Sequence, residues 1–375
     1  MRIVDLDDDV YTLGLRGTIK SSENKELEAR ILTARKALQS RLQKPEISQS
    51  VELFDSEKFN TNASVAENLL FGTPVGDEFI LEKIAENQYV RKILREVDLE
   101  DEFVRVGRDV ASTMVELFSG LPADHEYFSQ YSFIASDDLA DFQILLGRAD
   151  RLGLDSMEAE DRDRFLALPF KLIPARHRLG LITDPIRDRI LEARRAFANK
   201  IPDALKSSVE FYSKEQYNES ASVQDNIVFG KIASDKADAA EQMGDLIAEV
   251  IESENLRSAV VEAGLDFQVG LSGSKLSPPQ RQKLSLARAL LRSPDVLILN
   301  EATSALDSGS QTRVISNIMT ATKGKNLLWV LQRVSLADAF DRVLVMSGGR
   351  VIETGNFQEL KGQANSIFNK LLRDE

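Results

Sequence analysis

The sequence predicts an α/β protein. Its strands gather towards the carboxyl end, behind a region rich in helices. Three observations carry this. Val296-Leu297-Ile298-Leu299 and Asn326–Leu331 are short apolar runs bounded by polar residues, the pattern of parallel strands buried on both faces, with a buried helix as the alternative for so short a run as the first. Helical stretches precede the first run and separate it from the second, as strand–helix–strand units require. Upstream, apolar residues recur at three- and four-residue spacing, and one long stretch occurs twice.

Taken in order, the start, MRIVDLDDDV, is acidic and lacks the apolar core of a signal peptide. Glu26–Leu42 reads as a helix with Leu27, Ile31, Ala34, Leu38 and Leu42 on one face. Val51–Gly72 (VELFDSEKFNTNASVAENLLFG) and Val209–Gly230 (VEFYSKEQYNESASVQDNIVFG) are identical at 10 of 22 positions. Arg30–Leu38 (RILTARKAL) likewise matches Arg189–Phe197 (RILEARRAF). The spacing is 158 residues for the long match and 159 for the short one, which makes this an internal duplication. One copy covers about 20–107 and the other about 180–270. The charged run Asp155–Arg164 places a domain boundary near residue 165, dividing an α-rich region (1–165) from an α/β region (166–375).

Residues 235–264 alternate small apolar and acidic residues, as two amphipathic helices do. Ser277 is placed to cap a helix that starts at Pro278, with Gln280 completing a capping box, and Ser293-Pro294 ends it. Ser310–Thr320 is helical. Arg342–Met346 and Arg350–Glu353 form a hairpin around Ser347-Gly348-Gly349. Asn356 caps a short helix, and Ala364–Arg373 is the last one.

Composition removes several kinds of chemistry. The 47 basic and 60 acidic side chains leave a net charge of −13, which argues against nucleic acid as a main partner. There is no cysteine, so neither a disulfide nor a thiolate site exists. The two histidines, His125 and His177, are too few for a histidine-based zinc site, and no metal site is assigned on the residues alone. No run reaches the ~20 apolar residues of a membrane helix.

Within this frame, Gly273–Asp307 (GSKLSPPQRQKLSLARALLRSPDVLILNEATSALD) resembles the ATP-binding cassette (ABC) ATPases of the exporter type. LSPPQ stands at the family's signature and VLILNEATSALD at its Walker B strand and following loop. Leu327–Leu360 resembles its switch strand and closing strands, and Ser222–Gly230 its approach to the helical subdomain. The resemblance implies a fold related to the P-loop NTPases, and ATP with Mg2+ as ligands. It further implies a second cassette domain and a transmembrane domain as partners, and a place in the cytoplasm at the membrane face. By resemblance Glu301 is the general base and Gln332 stands at the switch position. Ser277 and Gln280 would reach nucleotide in trans, Asn300 holds the Walker B position and Asp307 the D-loop. Lys214 falls at the Q-loop position by counting, with Gln216 nearby.

The departures from the family are chemical. No G-x-x-x-x-G-K-[ST] loop occurs. Asn300 supplies an amide where a magnesium site favours a carboxylate. Gln332 cannot become a cation as histidine can. Pro278 and Pro279 replace two glycines and remove two N–H donors. The expectation is therefore a degenerate, weakly or non-hydrolytic half of a transporter's ATPase pair. Two readings stand beside it: a non-catalytic cassette-fold scaffold, and a gene fragment lacking its phosphate-binding half.

Overall fold

A computed structural model describes residues 1–20, 25–122, 128 and 132–375; His125 lies outside the described residues. In chain order come α1 (Asp7–Arg16), α2 (Lys25–Arg41), β1 (Val51–Leu53), α3 (Val65–Leu70) and β2 (Gly72–Pro74). Helices α4 (Gln88–Glu96), α5 (Glu100–Phe118), α6 (Leu139–Leu152), α7 (Ala159–Ala167) and α8 (Asp184–Lys200) follow. Then come β3 (Val209–Phe211), α9 (Val223–Val228), β4 (Gly230–Ile232), α10 (Ala239–Ser253) and α11 (Arg257–Leu265). The carboxyl-terminal part holds α12 (Pro278–Leu291), β5 (Val296–Asn300), α13 (Ser308–Ala321) and β6 (Asn326–Val330). It closes with β7 (Val343–Ser347), β8 (Arg350–Gly355), α14 (Phe357–Gly362) and α15 (Ile367–Asp374).

These elements divide into two compact units, residues 15–263 and residues 1–14 with 264–375. The division expected near residue 165 does not fall between them. The reason is strand pairing. β1 pairs antiparallel with β4 (Val51 opposite Ile232), and β2 with β3 (Gly72 opposite Phe211). Each repeat copy therefore finds its hydrogen-bonding partner in the other copy, and the two cannot lie in separate domains.

In the unit 15–263, Phe79, Ile93, Phe103, Val110, Phe165, Phe170, Ile190 and Phe197 belong to one continuous apolar core. Gly107 allows the closest helix contact in it. A Cβ there would lie 1.9 Å from the Phe165 carbonyl oxygen, so α5 meets α7 backbone to backbone. Helix α2 packs on α9, and α8 packs on α3. Ser64 caps α3 by accepting from Glu67 N–H, and Ser222 caps α9 by accepting from Asp225 N–H. Phe71 and Phe229 end those helices in the left-handed region, at φ 45° and 49°.

In the other unit, β5 and β6 pair in parallel, in register from Val296 opposite Asn326 to Asn300 opposite Val330. Leu297, Leu299 and Trp329 are buried on one face. The expectation of burial on both faces fails: Val296, Ile298, Leu328 and Val330 are 48–66% exposed on the other. A pair of strands with helices to one side buries only that side. β7 and β8 form the hairpin, and Gly348 and Gly349 take the positive φ values (56° and 74°) of its two-residue turn. The acidic start is also ordered here. Val4, Leu6, Val10 and Leu13 are buried, and a Cβ on Gly264 would fall 2.0 Å from the Val10 carbonyl oxygen.

Candidate functional site

Helix α12, where the signature is expected, starts as its residues dictate. Ser277 accepts from Gln280 N–H, the Gln280 side-chain oxygen accepts from Ser277 N–H at 3.0 Å, and Pro278 occupies the first helical position. Gln280 is used at both ends, because its amide nitrogen donates to Asp9 Oδ1 at 3.2 Å. One turn on, Lys283 is buried and donates to Asp9 Oδ2 (2.8 Å) and to the Asp5 carbonyl oxygen (2.7 Å). Arg313 of α13 donates to Asp5 Oδ2 at 2.9 Å, and that hydrogen bond holds the Asp5 carboxyl below its usual range.

At the carboxyl end of β5 the backbone turns sharply. Asn300 is the last residue of the strand and is exposed. Glu301 takes φ 48°, and its N–H donates to the Val330 carbonyl. Gln332, just beyond β6, donates from its amide to Glu301 Oε2 at 2.8 Å. Glu301 and Gln332, the residues expected at the general-base and switch positions, are thus in direct contact, and an amide takes up the carboxylate. Gln282, which sequence reasoning missed, ties α12 to this turn. It donates to the Glu301 carbonyl and Ser304 Oγ, and it accepts from Ala305 N–H. A cleft of about 500 Å³ lies between α12 and this strand end, lined among others by Arg281, Gln282, Ser285 and Asn300.

Asp307 does local work. It caps α13 by accepting from Ser310 N–H, and its hydrogen bonds from Ser310 pull its carboxyl down to about 2. Ser277, Gln280, Asn300, Glu301, Asp307 and Gln332 all lie in the unit 1–14 with 264–375, whereas Lys214 lies in the other. Lys214 and Gln216 are exposed; what is held there is backbone, through their carbonyl oxygens. The missed residues Asp5, Asp9 and Lys283 had one faint signal. Lys283 shares the helical stripe of Leu286 and Leu290, and a lysine on an apolar stripe needs a partner.

Residues 179–304 match the family model described as ABC transporter. This segment is part of an ABC transporter nucleotide-binding domain. The chain is 34% identical over 168 residues to the heterocyst differentiation ATP-binding protein HepA of Nostoc sp., covering 44% of this chain and 26% of that protein. It is 38% identical over 172 residues to the ATP-dependent permease MDL1 of Candida albicans, covering 45% and 24%. It is 34% identical over 182 residues to an ATP-dependent lipid A-core flippase of Paraburkholderia xenovorans, covering 48% and 29%. The chain thus spans about a quarter of the length of these relatives. Among the described residues no helix is long and apolar enough to cross a membrane.

The ABC family normally binds ATP with Mg2+, and the donors of this ABC segment fit that ligand poorly. No glycine-rich loop with lysine is present to surround phosphates. Pro278 and Pro279 offer no N–H at the signature helix, and the Gln280 amide is engaged within the chain. The residue beside Glu301 is the neutral Asn300.

Proposed function

We propose that this chain serves as the degenerate half of an exporter-type ATPase pair, at the cytoplasmic face of the membrane. Its partners would be a second, competent cassette and a transmembrane domain. The observation that carries the reading is the Glu301–Gln332 hydrogen bond, with no phosphate-binding loop in the sequence. A carboxylate held by an amide stands beside Asn300, which brings no negative charge for a metal ion, and Gln332, which cannot carry a proton as histidine does. Losing a single transition-state stabiliser typically costs ~100- to 1,000-fold in rate. Steady-state phosphate release by the purified chain should therefore match that of Glu301→Gln. Turnover near ~1 per second that Glu301→Gln abolishes would overturn the reading.

A second reading has its own support in the bare face of β5 and β6. Parallel strands ordinarily have both faces covered. Four half-exposed aliphatic side chains on one face favour a chain that is completed by the phosphate-binding half of a cassette, encoded separately or upstream. An in-frame glycine-rich phosphate loop in the DNA preceding the Met1 codon would decide for it; stop codons in all frames there would decide against an upstream half.

We further infer that 51–72 and 209–230 are one folding pattern used twice. In its support, Asn68 Oδ1 accepts from Asn60 N–H and Asn226 Oδ1 from Asn218 N–H, at 2.8 and 2.9 Å. Asn60 and Asn218 in turn donate to the carbonyls of Glu52 and Glu210.

A further inference from the structure

Two arginines in the unit 15–263 are buried and donate their hydrogen bonds to carbonyl and amide oxygens, while Glu215 acts on Arg35, and Glu57 and Asp55 on Arg194, through charge alone. Arg35 on α2 is 2% exposed and Arg194 on α8 is 4% exposed. Burial pushes both guanidinium groups down to about 10, which leaves them charged at neutral pH. Their donors are met by peptide oxygens. Arg35 Nε donates to the Asn226 carbonyl at 2.7 Å. Its Nη1 donates to the carbonyls of Ser213, Lys214 and Gln216 at 2.9, 2.8 and 3.1 Å, and its Nη2 to Asn226 Oδ1 at 3.3 Å. Arg194 Nε donates to the Asn68 carbonyl at 2.6 Å. Its Nη1 donates to the carbonyls of Asp55, Ser56 and Lys58 at 3.1, 2.8 and 3.0 Å, and its Nη2 to Asn68 Oδ1 at 3.0 Å. Each guanidinium also covers an aromatic face of the copy it enters, Arg35 over Phe229 at 4.6 Å and Arg194 over Phe71 at 4.7 Å.

The two sets correspond atom for atom. Residues 213, 214, 216, 226 and 229 stand 158 positions after 55, 56, 58, 68 and 71. Yet neither arginine holds the loop of its own copy. Arg35 lies only 20 residues before Asp55 and instead enters the loop that follows β3. The exchange runs the same way as the strand pairing, β1 with β4 and β2 with β3. On the shared face, Phe54 stacks on Tyr212 with ring centres 4.3 Å apart, and these two are also 158 positions apart.

We propose that the first copy is a built-in brace for the second: Arg35 is a positioning residue that fixes the loop Ser213–Asn218 of the ABC segment, and Arg194 does the same in return for Asp55–Asn60. This gives the amino-terminal copy a role that does not depend on its binding nucleotide, and it rests on the two copies being one pattern used twice. A guanidinium fork presents five donors in a fixed plane, so it can gather several carbonyls of one turn where a smaller group cannot. Removing it strands those oxygens in a buried place.

Hydrogen exchange of the full chain, read by mass spectrometry peptide by peptide, tests this. Arg35→Ala should speed exchange in 213–218 by at least about tenfold and leave 55–60 within about twofold of the parent. Arg194→Ala should do the reverse. Arg35→Lys and Arg194→Lys keep the cation but reach fewer carbonyls; they should give the same crossed pattern at smaller amplitude, and they carry the test if the alanine forms do not fold. Faster exchange in the variant arginine's own copy, equal loosening of both loops, or no change in either would overturn the proposal. The readout involves no nucleotide, so it stands apart from the fate of the ATPase reading.

Discussion

The ion pair between Lys283 and Asp9 offers a measurable test of how the acidic start is held. Their atoms are 2.8 Å apart, with side chains 11% and 21% exposed. Breaking a buried pair by removing one partner costs ~3–5 kcal/mol, because the other charge stays uncompensated. Here that figure is an upper bound. Both groups keep some water, and Lys283 retains the Asp5 carbonyl oxygen, with the Asp5 carboxylate at 3.7 Å. Asp9→Asn should cost about 1.5–3 kcal/mol, since Lys283 is the more buried partner. Lys283→Met keeps the aliphatic stem and leaves Asp9 nearer to solvent, so it should cost about 1–2 kcal/mol. The double variant should be milder than the two added together, by a coupling of about 1–2 kcal/mol. Urea unfolding followed by tryptophan fluorescence is the assay. The chain has one tryptophan, Trp329 on β6, so the signal reports the unit that holds the pair. Coupling below about 0.5 kcal/mol would show that the pair is a bystander and that the apolar contacts of Val4, Leu6 and Val10 hold the segment alone.

Three further outcomes are expected. Gly107→Ala should destabilise the unit 15–263 by about 2 kcal/mol or more in thermal melting, since its Cβ must push α5 away from the Phe165 carbonyl; an unchanged melting point would refute the close contact. Ser277→Ala should lower the stability of the carboxyl-terminal unit by about 0.5–2 kcal/mol in the Trp329 assay, whereas Ser277→Asp should restore most of it. His177 accepts from Ile173 N–H through Nδ1, which requires the neutral ring, and burial pushes its pKa down to about 4. The folded state therefore binds fewer protons than the unfolded one between pH ~6.5 and pH ~4. The stability contributed by His177 is whole above that window and is lost as pH falls through it, by about 1–2 kcal/mol after allowance for the ring's partial exposure. His177→Gln should remove that fall from the pH profile of melting; an unaltered profile would refute it.

How much of this could be read in the sequence depended on distance along the chain. The Ser277–Gln280 capping box, the Asn356 cap and the Gly348-Gly349 turn were legible because each is settled within four residues. The parallel pairing of β5 with β6 followed from two apolar runs joined by one helix. The family resemblance placed Glu301 and Gln332 at two positions of one site, and the hydrogen bond between them was not foreseen, for nothing local joins them. The duplication told which residues are equivalent and was silent about which copy they bond. Alternating polarity marks a strand's faces and leaves its neighbour unnamed. The same silence hid Asp9 from Lys283, which lie 274 residues apart. In the sequence the acidic start reads only as lacking a signal-peptide core, because its partners come so much later in the chain.

The exchange of strands and arginines also sets the order in which the chain can fold. β1 and β2 leave the ribosome about 140–180 residues before β4 and β3, which they need as partners. At synthesis rates of ~5–20 residues per second, that is a wait of about 7–36 seconds with both strand edges unpaired. Helix α2 must likewise hold an unsatisfied Arg35 until Ser213–Asn226 has been made. Long-range pairing of this kind slows folding and exposes intermediates to aggregation. An arrested nascent chain ending near residue 200 should therefore remain open to protease within 51–74, a segment whose two strands are both paired once synthesis has passed β4.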